Sequence, residues 1–219
     1  ASIEERFKYI DLGNGIHKGN PNLKSEQGWF SNLRYTFAKK RMLIKADLFA
    51  NYLFDLIAEE RSTATSNVYE YKNIDQALFA GAEIEFNAVV TNRLRFRTNA
   101  SYVYTRDVKA DTSLPMIPPA HGMTSLSYMA GNVLETSLQM EWAATQHELA
   151  ANETATQGYV IFNYRINSMP VYVKNIYLQA FAGVDNILDK AYKNHLFNNR
   201  GLNFYEPGRN VFIKLKLGW

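Results

Sequence analysis

Gly208-Arg209-Asn210-Val211-Phe212-Ile213-Lys214-Leu215-Lys216-Leu217-Gly218-Trp219 is the stretch whose reading decides the fold. Val211, Ile213, Leu215, Leu217 and Trp219 fall on one side of an extended chain. Asn210, Lys214, Lys216 and Gly218 fall on the other, with Phe212 the one exception. Alternation with a period of two means a strand with a single apolar face. A strand that crosses a bilayer needs this pattern: lipid on one side, water or polar filling on the other, an aromatic at the interface.

Composition leaves that reading open and closes several others. The chain of 219 residues has no cysteine, so neither a disulfide framework nor thiol chemistry is expected. Its net charge of +3 comes from 24 basic and 21 acidic residues that are interspersed, which does not point to nucleic acid. No run approaches the ~18 consecutive apolar residues of a membrane helix, and mean hydropathy is −0.30. Barrels escape that exclusion because half of each barrel strand is polar. Aromatic residues at 14% suit interface girdles. Ala1-Ser2-Ile3-Glu4-Glu5-Arg6 shows no basic start followed by an apolar core. No signal peptide is expected there, so an exported protein would be represented as a mature form or a fragment.

Outward from the terminal stretch, the alternation repeats through about nine strands of roughly 10–15 residues. The first lies near 27–38, with Trp29, Leu33, Tyr35 and Phe37 on its apolar side. The second, near 41–58, sets Met42, Ile44, Ala46, Leu48, Ala50, Tyr52, Phe54 and Leu56 against Lys45, Asp47, Asn51 and Asp55. The third carries Leu78 to Phe86, the fourth Leu94 to Tyr104, the fifth Thr124 to Tyr128 and the sixth Leu134 to Ala144. The seventh carries Val160 to Ile166 and the eighth Ile176 to Val184. Residues 1–12 read as the tail of a strand, and 13–26 and 59–75 as loops. Residues 168–173 read as an ill-defined turn. Short and long connections alternate, as in outer-membrane barrels. Aromatics gather at both ends of an aliphatic band, with Trp29, Tyr52, Tyr102 and Trp142 at the long-loop end and Tyr35, Phe86, Phe96, Tyr128 and Trp219 at the other. The rival reading is a soluble β-sandwich or solenoid. Strands longer than the usual ~5–6 residues, without a second apolar face, argue against it.

On the polar face, Glu83 and Glu85 precede a short turn, and Arg93, Arg95 and Arg97 follow it. Antiparallel pairing is expected to set these acids beside these bases, with Glu135 and Glu141 extending the set. A solvated, self-neutralised lumen, a substrate track and a wall that contacts a plug all remain open.

Local motifs add a family resemblance. Gly19-Asn20-Pro21-Asn22-Leu23-Lys24-Ser25-Glu26 resembles the "GNPNLKPE" segment of TonB-dependent outer-membrane receptors, with Ser25 in place of Pro. Gly183-Val184-Asp185-Asn186-Ile187-Leu188-Asp189-Lys190-Ala191-Tyr192 resembles their penultimate-strand signature. Ile117-Pro118-Pro119 and Glu206-Pro207-Gly208-Arg209-Asn210 match further landmarks, and Trp219 replaces a more usual Phe. These motifs match the C-terminal part of the family's barrel. The resemblance implies an all-β, antiparallel transmembrane barrel with 22 strands and a plugged lumen. Residues 1–219 would form about nine or ten strands of it, as the C-terminal part of one barrel domain. The plug, the other strands and the TonB-contacting segment would lie outside this sequence.

The resemblance also implies bacterial outer-membrane lipid, a plug and TonB as partners. It further implies active import of a scarce metal chelate: a ferric siderophore, haem or a metal ion. No cofactor, no nucleic acid and no enzyme constellation are expected. A porin-like or surface-interaction barrel that binds a partner through its outer loops is the alternative. His17, His121, His147 and His195 all fall at the long-loop end, with Met116 and Met123 near His121. Imidazole and thioether groups are ligands for haem, copper or zinc. His17 stands out, because it precedes the Gly19–Glu26 motif and some haem receptors of the family carry a histidine near that segment. Tyr69, Tyr71 and Tyr205 are candidates to pack against an aromatic ligand.

Overall fold

Residues 27–218 form nine long strands, each antiparallel to the next. In chain order the elements are α1 (Ile3–Phe7), β1 (Tyr9–Asp11), β2 (Ile16–Lys18), β3 (Gln27–Lys39), β4 (Met42–Arg61), β5 (Val68–Val89) and β6 (Leu94–Asp107). They continue with β7 (His121–Ala130), β8 (Leu134–Ala143), β9 (Tyr159–Ser168), β10 (Val171–Val173), β11 (Ile176–Asp185), α2 (His195–Asn199) and β12 (Asn210–Gly218). The computed structural model describes residues 1–13, 15–62, 67–150, 153–199 and 204–218. Trp219, read above as an interface aromatic, lies outside the described residues.

Pairing runs β3–β4–β5–β6–β7–β8–β9–β11–β12. Connections 40–41, 90–93 and 131–133 are short and share one end of the sheet, while 62–67, 108–120, 144–158 and 186–209 share the other. Among the described residues the outer edges of β3 and β12 have no strand partner, so the sheet is a wall with two open edges.

The outward face is apolar and uncovered. Leu48 is 53% exposed and Ile213 80%, and Leu33, Ile84, Leu126, Leu138, Leu178, Leu215 and Leu217 are exposed with them. In water such rows would cost about 25 cal/mol for each Å² left wet; in a bilayer they meet lipid. Aromatics bracket this band. Trp29 pairs with Tyr52 at the long-loop end, and the Phe86 and Phe96 rings lie 5.9 Å apart at the other. Among the described residues no helix is long and apolar enough to cross a membrane.

The inner face explains Phe212, the exception in the terminal pattern. Phe212 pairs with Gly183, and a Cβ on that glycine would stand 2.7 Å from the Phe212 ring. The bare glycine lets the ring lie along the wall, where the Arg165 guanidinium carbon sits 5.1 Å from its centroid. Phe49 covers Gly81, and Tyr177 covers Gly218, in the same way.

Some charges on this face are paired, though not as expected. Arg34 binds Asp47 at 2.5 Å and Lys45 binds Glu85 at 3.0 Å. Register sets Glu85 opposite Asn99, and Arg97 opposite Asn87. Glu85 therefore turns to Lys45 on the other neighbouring strand rather than to the arginines beyond its turn.

Four segments depart from the sequence reading. Residues 1–12 end in the short strand β1, as expected, but open with the helix α1, because Ser2 and Glu5 form a reciprocal capping box that satisfies two backbone donors. Residues 13–26 contain β2. Residues 59–75 are mostly strand, since β4 and β5 run 20 and 22 residues. At about 3.3 Å per residue these strands are roughly twice as long as a ~10-residue bilayer crossing requires. Residues 168–173 hold a bulge: β9 and β10 pair with the same strand, β11, in registers offset by one residue. Lys174 and Asn175 then close a two-residue turn, with Lys174 at φ 55.

Candidate functional site

The outer end of the wall is where loops, histidines and buried groups converge. β1 and β2 form a hairpin, and β2 adds in parallel to the projecting start of β5. That addition sets His17 beside Tyr69, with ring centroids 4.8 Å apart and planes within 6°. His17 Nδ1 lies 2.8 Å from Glu59 Oε1. Both His17 and Tyr69 are thus engaged in holding the N-terminal segment to the β4–β5 projection. Tyr71 contributes its carbonyl, which accepts from Asn20 Nδ2 at 3.1 Å.

The Gly19–Glu26 motif continues this attachment. Gly19 and Asn20 donate to Lys8 O and Glu5 O at 2.7 and 2.9 Å. A Cβ on Gly19 would stand 2.6 Å from the backbone at Arg6 and Phe7. The Lys24 amide donates to Asn73 Oδ1 at 2.8 Å, and Glu26 Oε1 accepts from the Ile57 amide at 2.7 Å. Leu23 is buried between these anchors, and Asn20 Oδ1 turns the chain through Pro21 by accepting from the Asn22 amide. These residues strap the chain across the β4–β5 projection.

The second motif is also a structural lock. Asn186, at φ 48, accepts from the Lys190 amide at 2.9 Å and donates to Lys190 O at 2.8 Å. Its own amide donates to Asn163 Oδ1 at 2.8 Å. Asp185 pairs with Arg165. Asp189 Oδ1 accepts from the Arg209 amide at 2.7 Å, and Arg209 Nε donates to Ile187 O at 2.8 Å. A Cβ at Gly208 would stand 2.6 Å from Asp189. Pro207 O faces Asn186 Nδ2 at 3.4 Å. Tyr192 packs 4.2 Å from Tyr159, centroid to centroid. Burial there pushes its phenol up to about 12.

One cavity of about 310 Å³ lies at the outer end of the inner wall. Pro119, His121, Met123, Glu141, Lys193 and His195 line it from three segments of the chain. His195, in α2, is 3% exposed, and its Nδ1 lies 3.0 Å from Thr156 Oγ1. Burial lowers the pKa of that imidazole and favours the neutral ring. His121 Nδ1 bonds to the Pro119 carbonyl at 2.9 Å. A second hollow, of about 800 Å³ at the short-turn end, is lined by Lys39, Lys40, Arg41, Glu85, Arg95 and Arg97, with Met123 at its upper margin.

The eight candidate residues therefore separate. His121 and His195 share a cavity, and His17, Tyr69 and Tyr71 share the strap. Met116, His147 and Tyr205 join neither. The Met116 amide donates to Glu153 at 2.6 Å, His147 is exposed in the β8–β9 connection, and Tyr205 stands exposed under Lys193 Nζ, 5.0 Å from its centroid. Among the described residues no group of three or more His, Asp or Glu could hold a metal ion. Sequence reasoning does not single out Glu59 or Thr156. The i, i+2 spacing of Tyr69 and Tyr71 was the available sign that their segment is strand and has a partner strand.

A family model described as TonB dependent receptor-like, beta-barrel, matches residues 7–187. The chain belongs to that family. Solved structures of TonB-dependent receptors share its fold. The copper transporter OprC is 21% identical with a TM-score of 0.77, over 90% of this chain. The FrpB iron transporter from Neisseria meningitidis is 19% identical with a TM-score of 0.68, over 92%. The siderophore receptor PirA from Acinetobacter baumannii is 18% identical with a TM-score of 0.66, over 92%. The chain spans about a third of their length: 32% of OprC and of FrpB, and 33% of PirA. No curated protein matches it.

Proposed function

We propose that residues 1–219 are the C-terminal wall of one outer-membrane barrel. That barrel imports a scarce metal chelate (a ferric siderophore, haem or a metal ion) with energy delivered through TonB. The observation that carries this reading is the family's barrel pattern laid along a wall that, among the described residues, has two open edges. Further strands of the same barrel would close those edges. An N-terminal plug, from the same protein or a separate chain, would fill the lumen against the basic lining of the larger hollow. Long loops at one end then receive the ligand, and the apolar outer rows seat in outer-membrane lipid. His121 and His195 are the candidates for ligand contact, because they share a cavity.

Growth of a deletion strain on defined iron, haem and copper sources tests the reading. The full-length gene is expected to restore growth on one source in a tonB-positive background and not in a tonB-negative one. Restoration independent of TonB would show a passive, porin-like barrel. No restoration on any metal source, together with partner capture by the loops, would show a surface-interaction barrel.

A further inference from the structure

We propose that His121 and Met123 form a landing site for a soft, singly charged metal ion, Cu(I), where the outer cavity opens into the lumen. This inference deepens the import reading and rests on it, because it names the metal class that the route would carry.

The argument starts from β7. Residues two apart on a strand point to the same face and lie about 7 Å apart along it. His121 and Met123 hold that relation, and both line the 310 Å³ cavity. The Nδ1 of His121 bonds to a backbone carbonyl, Pro119 O. A carbonyl oxygen only accepts, so Nδ1 carries the proton and Nε2 keeps its lone pair. A histidine tied in this way is oriented for metal ligation. Among the described residues Nε2 has no hydrogen-bond partner.

Met123 supplies the selectivity. Thioether sulfur is a soft donor that favours Cu(I) over Zn(II) and other harder ions. Cu(I) also accepts two or three ligands, which suits a place where His, Asp and Glu do not gather in threes. Glu141 stands directly across from Met123 in register and accepts from Asn163 at 2.6 Å. Its carboxylate offsets the incoming positive charge. The cavity is at the small end for an organic ligand, whereas an ion with a few waters fits it. Met123 also borders the larger hollow. The thioether therefore borders both spaces.

The test uses the purified full-length receptor under anaerobic, reducing conditions, with Cu(I) titrated against a chromogenic Cu(I) chelator. Met123→Leu and His121→Gln are each expected to weaken Cu(I) binding by about tenfold or more. Met123→Leu is expected to leave Zn(II) binding unchanged, and Met123→Cys to restore Cu(I). Met129→Leu, on the same strand near the short-turn end, is the control and is expected to have no effect. Equal Cu(I) affinity in wild type, Met123→Leu and His121→Gln would overturn the proposal. So would an equal loss in Met129→Leu. TonB-dependent uptake measured on the same variants separates the two readings: unchanged Cu(I) binding with TonB-dependent uptake sinks this site alone. Lost Cu(I) binding with TonB-independent uptake sinks the import reading alone.

Discussion

Between Met42 and Phe54, the β4–β5 hairpin leaves Leu48 and its neighbours uncovered on one face and sets paired charges on the other. From Leu53 and Ala77 toward the long-loop end, the same two strands bury Ile74 and Ala77 against Leu114, with Leu53, Leu56 and Ile117 packed around them. One hairpin thus follows two rules. Its lower part turns apolar side chains outward, as a strand in lipid does. Its upper part encloses them, as a water-exposed body must. In the proposed barrel, this change of rule along one pair of strands would mark the outer membrane boundary.

Substitutions can break this contrast. The largest effect is expected for Leu48→Arg, which puts a charge on the lipid face near the middle of the band. It should cost about 2–4 kcal/mol in urea unfolding of the full-length receptor in bilayers. Leu114→Ala opens a cavity in the enclosed tip and should cost roughly 2–3 kcal/mol. Leu48→Ala, which creates no cavity, should cost clearly less. A reversed order of the two alanine variants would put the boundary in the wrong place. Gly81→Ala comes next, at about 1–3 kcal/mol, because its Cβ meets the Phe49 ring and the Tyr102 carbonyl.

Smaller effects sharpen the description of the tip. Glu59→Gln removes the carboxylate from His17 and should cost about 1 kcal/mol. Faster hydrogen exchange confined to residues 8–24 and 57–73 would register it. His195 gives a pH signature. Its folded pKa lies below the ordinary 6.5 because it is buried. The unfolded loop therefore binds a proton more readily, and protection of α2 should be full above that value and fall as pH drops below it. His195→Gln should flatten the profile.

How much was legible in the sequence follows the same boundary. All nine long strands were readable because one uncovered apolar face and one polar face give strict alternation, as in Met42 to Phe54. Glu59, Glu60, Tyr69 and Tyr71 lie above that constraint. At that level β4 and β5 carry no apolar row, so the alternation vanished while the pairing continued. The α1 helix had a local signal, Ser2 followed by Glu5, which the alternation around it masked. The Glu85–Lys45 pair was illegible for a different reason. Register across two neighbouring strands decides between Lys45 and Arg97, and one turn alone does not fix it.

Site residues were legible by type and not by company. Four histidines at one end were countable, but the fold sends His17 into the strap and gathers His121 with His195. The two family motifs hold backbone in place: Asn186 and Asp189 at positive φ, and Gly19 against α1.

The most direct test of the central claim is a scan of single cysteines along residues 43–53 of the full-length receptor in lipid bilayers, each carrying a spin label. Accessibility to oxygen, which concentrates in lipid, should peak at positions 44, 46, 48 and 50, and accessibility to a water-soluble paramagnet at 45, 47, 49 and 51. Uniform water accessibility along the scan, or shielding of positions 46 and 48 from both reagents, would contradict a wall with lipid on one side and an enclosed interior on the other.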